Sequence, residues 1–132
     1  FSSIDCSGFA LWMEKQAIEE LEHGQKFYDY IHKCLGRVIL LAIDRPKDKW
    51  KDPLDAFEDA LAHEKKVTKL INDLVILAKE ESDCATIDFL QWFIDEQVEE
   101  EEAAFSNVEK IKMIGDDKSS LLEFDKQLGL RK

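Results

Sequence analysis

Three long stretches of this sequence repeat apolar residues at helical spacing and contain almost no helix-breaking residue. The 132 residues include only five glycines and two prolines, and most of these lie at the ends of the stretches or between them. A chain with so few interruptions is typical of a helical protein. The sequence therefore predicts an all-α fold with three long helices and one short one.

The predicted helices cover residues 9–35, 53–79, 84–114 and 120–128. Helix ends are marked by residues that satisfy the free backbone groups of the first and last turns. Pro53 suits the first helical position of the second helix. The expected end signals are the N-caps Asp52 and Asp83, the terminating glycines Gly36 and Gly115, and the capping box from Ser120 to Glu123.

The connections between the helices differ in length. Only residues 81–83 separate the second and third helices, which must therefore be antiparallel neighbours. Residues 36–52 join the first two helices and could reach roughly 55 Å when extended, more than the ~40 Å length of such a helix. This connection fits either a crossover between parallel helices or a flexible loop.

The composition narrows the possible partners and compartment. With 45% hydrophobic residues the chain suits one domain, and a net charge of −11 disfavours nucleic acids and anionic membranes as partners while attracting cations. No apolar run approaches the ~20 residues of a membrane span. Cys6, Cys34 and Cys84 form no C-x-x-C pair, so free thiols in a reducing cytoplasm are expected.

Each long helix carries polar residues in the middle of its apolar stripe. Placing residues at ~100° intervals puts Glu20 and His23 on the apolar face of the first helix and Glu64 at the centre of the second stripe. The apolar stripe of the first helix is formed by Phe9, Met13, Phe27, Ile31 and Cys34. Gln97 lies on the stripe of the third helix, with Glu100 beside it. All of these residues lie near the middle of their helices, so they are expected to meet at one level of the core.

A single buried carboxylate usually indicates a local salt bridge. Several converging carboxylates without a basic residue at their level repel one another, and a cation between them removes that repulsion. Carboxylates with one imidazole and no thiolate favour iron or manganese. The Glu-x-x-His spacing of Glu20 and His23 is one element of the four-helix di-iron pattern, of which this chain supplies three of four parts.

Three segments resemble the bacterial non-haem ferritins: QAIEELEH at residues 16–23, AHEKK at 62–66 and FLQWFIDEQVEEE at 89–101. The resemblance extends over essentially all 132 residues. It implies a single ferritin-like domain, a four-helix bundle with a long crossover and a short C-terminal helix. The family's first bundle helix, which supplies another iron-binding Glu, has no counterpart here, so an N-terminally truncated chain is expected.

The resemblance also implies residue roles. Glu20 and His23 would bind the first iron of a di-iron ferroxidase centre, and Glu64 would bridge the irons or bind the second. Gln97 and Glu100 would complete the centre. The family's accessory iron site would use Glu19, Glu96, Glu99 and Glu100, although these residues also fit an ordinary solvated acidic face.

The implied activity is oxidation of Fe(II) by oxygen or peroxide and storage of Fe(III) mineral inside a cytoplasmic, 24-subunit homo-oligomeric shell. Haem is not expected, because Leu21 stands where haem-binding relatives have Met. A rubrerythrin-like di-iron oxidoreductase is an alternative, although residues 97–100 lack the second His of that family. A non-catalytic helical interaction module, with the polar seam setting partner register, is another.

Overall fold

A computed structural model describes residue 1 and residues 4–131, and within them the chain is entirely helical, as predicted. The third predicted helix has the observed bounds, and the other three differ by one or two residues at one end or both. Such differences are common where helix ends fray. The helices are α1 (Ser7–Lys33), α2 (Pro53–Glu80), α3 (Cys84–Ile114) and α4 (Lys118–Leu128).

The chain divides into two compact units. The hairpin unit comprises Lys49–Asp116 and contains α2 and α3. The terminal unit comprises Phe1–Asp48 and Asp117–Lys132 and contains α1 and α4. Residues 36–50, which lead from α1 towards α2, have no regular secondary structure.

The hairpin unit follows the predicted local signals closely. Asp52 caps α2 by accepting from the backbone N–H of Asp55 at 2.8 Å, and Asp83 caps α3 by accepting from that of Thr86 at 3.1 Å. Gly115, with φ of 59°, ends α3 as expected. α2 and α3 pack side by side along an apolar seam. Its buried side chains include Phe57, Ile71, Leu90, Phe93 and Val108.

In the terminal unit, α4 caps the start of α1. The carboxylate of Asp125 accepts from the backbone N–H groups of Phe9 at 2.8 Å and Gly8 at 3.2 Å, satisfying two donors that a helix start leaves free. A Cβ on Gly8 would lie 1.7 Å from the carbonyl oxygen of Asp125. Only glycine therefore allows this approach. The rings of Phe9 and Phe124 meet edge to face at 5.9 Å beside it.

The prediction that α1 extends to residue 35 and is ended by Gly36 is wrong by two residues. α1 ends at Lys33, and the residue in the left-handed conformation is Leu35, with φ of 62°. Gly36 instead donates its backbone N–H to the carbonyl of Ile31 at 2.8 Å, and Leu35 donates to that of His32 at 2.9 Å. These are the two hydrogen bonds of a Schellman motif, which can place the left-handed residue before the glycine.

Two further expectations are wrong for identifiable reasons. The capping box at Ser120 does not form, because Asp117 caps α4, accepting from the backbone of Ser119 at 3.2 Å and from the hydroxyl of Ser120. Ile31 and Cys34, expected on the buried stripe of the first helix, are exposed. With 11 residues against 27, α4 covers about 16 Å of the ~40 Å length of α1.

All three cysteines are free, as predicted, with Cys6 buried and Cys34 and Cys84 exposed. None of the helices in the described part of the chain combines the length and hydropathy needed to cross a membrane.

Candidate metal centre

Glu64 and Gln97 meet in the core of the hairpin unit. Both side chains are buried, with relative exposures of 3%. The amide nitrogen of Gln97 donates to Oε2 of Glu64 at 3.3 Å and to the backbone carbonyl of Glu64 at 3.2 Å. It also lies 3.2 Å from the hydroxyl oxygen of Thr68. The two predicted residues are thus in direct contact, and a threonine one turn away completes the cluster.

This arrangement defines what Gln97 can do. Its amide nitrogen carries two hydrogens and has three acceptors on one turn of α2, so its donor capacity is used up. The amide oxygen lies on the opposite side of the same planar group. Any metal-binding role of Gln97 therefore belongs to Oε1, while Nε2 holds the carboxylate of Glu64.

The remaining candidates on α3 differ in exposure. Glu100, one turn beyond Gln97, is buried with 8% relative exposure, whereas Glu96 is half-buried and Glu99 is exposed. Burying a carboxylate costs several kcal/mol unless it is compensated. The buried carboxylates of Glu64 and Glu100 therefore both need compensation, while Glu99 resembles an ordinary solvated residue.

Glu20 and His23 form the predicted pair on α1. Oε2 of Glu20 lies 3.7 Å from Nδ1 of His23, so one turn of helix presents a carboxylate and an imidazole together. Oε1 of Glu20 is buried, yet it accepts no hydrogen bond from residue 1 or residues 4–131. A buried oxygen without a donor costs about 1–3 kcal/mol, and a bound cation would compensate it.

Glu19, assigned by resemblance to the accessory iron site, has a partner that the sequence did not indicate. Arg131 donates to its carboxylate and also to Oε1 of Gln16 at 3.1 Å. The same guanidinium lies 5.0 Å from the ring centre of Trp12, a cation–π distance. Because 112 residues separate Glu19 from Arg131, no local pattern could have revealed this pair.

The predicted residues are therefore divided between the units. Glu20 and His23 are together on α1, and Glu64 and Gln97 are together in the hairpin unit, with Glu100 buried on α3. Sequence reasoning assigned no role to Thr68. A signal for it existed, because a hydroxyl residue four positions after a buried Glu lies on the same helix face.

The donor set has a clear chemical preference. The terminal unit offers a carboxylate with an imidazole, and the hairpin unit offers carboxylates with an amide oxygen. Without a thiolate, each of these combinations suits iron and manganese better than a structural zinc site. The anionic groups stabilise the higher charge of an oxidised metal more than that of its reduced form. The residues present therefore fit the binding and oxidation of a divalent iron ion.

Comparison with known proteins identifies relatives. Residues 1–114 match the ferritin-like domain family. The chain is 43% identical over 124 residues to a bacterial non-heme ferritin of Staphylococcus saprophyticus, covering 94% of this chain and 74% of that protein. It is 40% identical to a bacterial non-heme ferritin of Staphylococcus aureus, covering 94% and 75%.

Solved structures agree with the sequence matches. An open-pore ferritin from the hyperthermophilic archaeon Archaeoglobus fulgidus superposes with a TM-score of 0.98 and 48% identity, over 100% of this chain and 82% of that one. A humanized archaeal ferritin gives a TM-score of 0.98 and 48% identity, over 100% and 80%. The resemblance and fold class predicted from the sequence are confirmed.

Proposed function

The chain belongs to the ferritin-like domain family, and from that premise we propose that it is an iron-storage subunit that oxidises Fe(II) and deposits Fe(III) as mineral. The observation that carries this proposal is the buried Oε1 of Glu20 beside His23, which accepts no hydrogen bond from the part of the chain that the structure describes. A purely structural carboxylate would be expected to have its donors in the folded chain. Membership of the family supplies the identity of the cation.

In the proposed centre, Glu20 and His23 would bind one Fe(II), and Glu64 would bridge the two irons or bind the second. Glu100 and the amide oxygen of Gln97 complete the coordination of the second iron. Each Fe(II) gives up one electron, so two irons together reduce one O₂ to hydrogen peroxide, or one hydrogen peroxide to two water molecules. Either reaction takes up two protons. The carboxylates favour the reaction because they bind Fe(III) more tightly than Fe(II).

We assign the accessory iron site to Glu19, Glu96, Glu99 and Glu100. On α3, Glu99 is exposed and Glu96 is half-buried, which suits transient binding of iron that is leaving an oxidation centre. Glu19 takes part only when it releases Arg131, because one carboxylate cannot satisfy a guanidinium and a metal ion fully at the same time.

The subunit is proposed to assemble into a 24-subunit shell in the cytoplasm. Support comes from the connection after α1, in which four large apolar side chains are 70–94% exposed. Clustered exposed apolar residues are typical of surfaces that bind another protein. These residues are Ile39, Leu40, Leu41 and Ile43.

The catalytic proposal is tested by Fe(II) oxidation in air, followed by the absorbance of Fe(III). Glu20→Gln and Glu64→Gln should each slow the initial rate by at least the roughly 10- to 100-fold that is typical of losing a residue hydrogen-bonded to a metal ligand. Glu80→Gln removes an equal charge from an exposed position of α2 and should leave the rate unchanged. Equal rates for all four proteins and buffer would reject the ferroxidase activity.

Assembly and iron binding are tested separately. Light scattering with size-exclusion chromatography should give the mass of a closed multi-subunit particle, and a monomer over the whole concentration range would reject the shell. Metal analysis should find bound iron, and iron should raise the unfolding temperature. If no iron is bound and iron does not raise the unfolding temperature, a non-catalytic interaction module is favoured instead.

A further inference from the structure

We propose that Thr68 is a positioning residue for the second iron, because it holds the Gln97 amide in place while Glu64 changes its contacts to bind metal. The inference rests on the proposed function for its consequence. Its structural basis lies entirely within the hairpin unit. Thr68 does not itself contact iron in this proposal; it acts through Gln97.

The three acceptors around Nε2 of Gln97 differ in whether they move when Glu64 binds metal. The carbonyl of Glu64 belongs to the backbone of α2 and does not move with the side chain. Oε2 of Glu64 must reorient if that carboxylate bridges two irons. Thr68 Oγ1, at 3.2 Å, is the side-chain acceptor that remains when the carboxylate turns away.

The residue type matters because of its stiffness. A β-branched side chain in a helix has few accessible χ1 rotamers, so the hydroxyl of Thr68 is held at a defined position one turn from Glu64. With Nε2 anchored to Thr68 and to the helix backbone, the planar amide keeps its oxygen directed away from α2. Gln97 Oε1 is then preorganised as a ligand at low entropic cost.

Loss of the hydroxyl has a specific consequence. Valine preserves the branched shape and removes the acceptor, so the amide would depend on Glu64 alone. When the Glu64 carboxylate binds iron, only the backbone carbonyl of Glu64 would still accept from Nε2, so the Gln97 amide would rotate more easily and the second iron would lose a prearranged ligand. The first iron, held by Glu20 and His23, should be affected much less.

The experiment compares Thr68→Val, Thr68→Ala and Thr68→Ser with the unaltered chain, after circular dichroism has established helical content. Both variants without a hydroxyl should raise the KM for Fe(II) by about tenfold or more, with a smaller change in kcat. Thr68→Ser should restore most of the affinity. Thr86→Val is the matched control: it removes a threonine hydroxyl that donates to Asp83 at 2.6 Å in the same unit, and should leave KM unchanged.

A second measurement needs no activity. In the iron-free chain, the two side-chain amide protons of Gln97 should shift and exchange faster with water in Thr68→Val, but not in Thr68→Ser or Thr86→Val. Unchanged amide signals in Thr68→Val would overturn the anchoring role. Unchanged KM in an active Thr68→Val protein would overturn its consequence for iron. If the unaltered chain oxidises no iron, the proposed function fails, whereas the amide signals still test the anchoring.

Discussion

The guanidinium of Arg131, three residues beyond the end of α4, donates to the carboxylate of Glu19 on α1. The side chains are partly buried, with 23% and 36% exposure, and the guanidinium also lies over Trp12. A C-terminal residue thus neutralises the carboxylate that precedes Glu20 in the chain. A cation bound at Glu19, as proposed above, would have to compete with this pair.

Arg131→Gln should therefore tighten the binding of a trivalent cation at Glu19. The expected gain is about two- to fivefold, because a partly exposed ion pair contributes no more than about 1 kcal/mol. Terbium luminescence titration measures it. Lys126→Gln removes the same charge from an exposed position of α4, so equal effects of both variants would show that only net charge matters.

The two glycines of α1 should respond oppositely to alanine. Gly8→Ala should destabilise the terminal unit by about 1–3 kcal/mol, because its Cβ would collide with the carbonyl of Asp125 at 1.7 Å and displace the capping carboxylate. Gly24→Ala should stabilise by about 0.5–1 kcal/mol, since nothing lies within 4 Å of the new Cβ. Urea unfolding measures both changes in the free energy of unfolding. Changes of the same sign would contradict the close approach of α4 to Gly8.

Leu35 should be improved by glycine. It is 95% exposed and adopts a φ of 62°, so Leu35→Gly removes about 1 kcal/mol of backbone strain while losing little packing. Leu40→Gly is the control, at 87% exposure in the irregular connection, and should not stabilise. Thermal unfolding distinguishes them. A lower unfolding temperature for Leu35→Gly would argue against the left-handed helix end.

The Asp83 and Asp117 helix caps should make the free energy of unfolding depend on pH in the acid range. Hydrogen bonds from the Thr86 side chain and backbone lower the pKa of Asp83 below its ordinary 3.8, and those from Ser120 and Ser119 lower the pKa of Asp117. A lowered folded pKa means that the stabilisation is complete above the unfolded value of about 3.8 and disappears as pH falls through the folded value.

Asp83→Asn and Asp117→Asn test this dependence, because asparagine can still cap a helix without titrating. Their deficit in free energy of unfolding should be present at neutral pH and shrink towards pH 2. Asp116→Asn, at an exposed neighbouring position, should show no such trend. A constant deficit from pH 7 to 2 would rule out a contribution from the charged carboxylates.

The cysteines should differ in reactivity. Burial, and secondarily the charge of Asp125, raises the pKa of the Cys6 thiol above its ordinary 9.0, which lowers its thiolate fraction. At pH 8, iodoacetamide should modify the exposed Cys34 and Cys84 first and Cys6 only slowly. Peptide mass mapping over time measures this order. Urea should abolish the difference in modification rate. Rapid modification of Cys6 in the folded protein would contradict its burial.

Local sequence signals predicted the helical elements well. Asp52, Asp83 and Gly115 act at helix ends as expected, because a cap and the backbone groups it satisfies lie within a few residues of each other. The capping box at Ser120 failed for the same local reason: Asp117, three residues earlier, is also a strong cap and binds the Ser120 hydroxyl. Two competing caps in one short segment could not be ranked from sequence.

The sequence by itself determined the helices, the acidic charge and the polar residues Glu20, Glu64 and Gln97 on apolar stripes, because helical periodicity is a property of neighbouring residues. Tertiary structure alone decided that Asp125 caps α1 across 116 residues, that Arg131 pairs with Glu19, and that Gln97 donates to Glu64 rather than merely facing it. These outcomes depend on which side chains packing brings within hydrogen-bond distance. Which way an amide points and which group a carboxylate pairs with are therefore set only by tertiary packing.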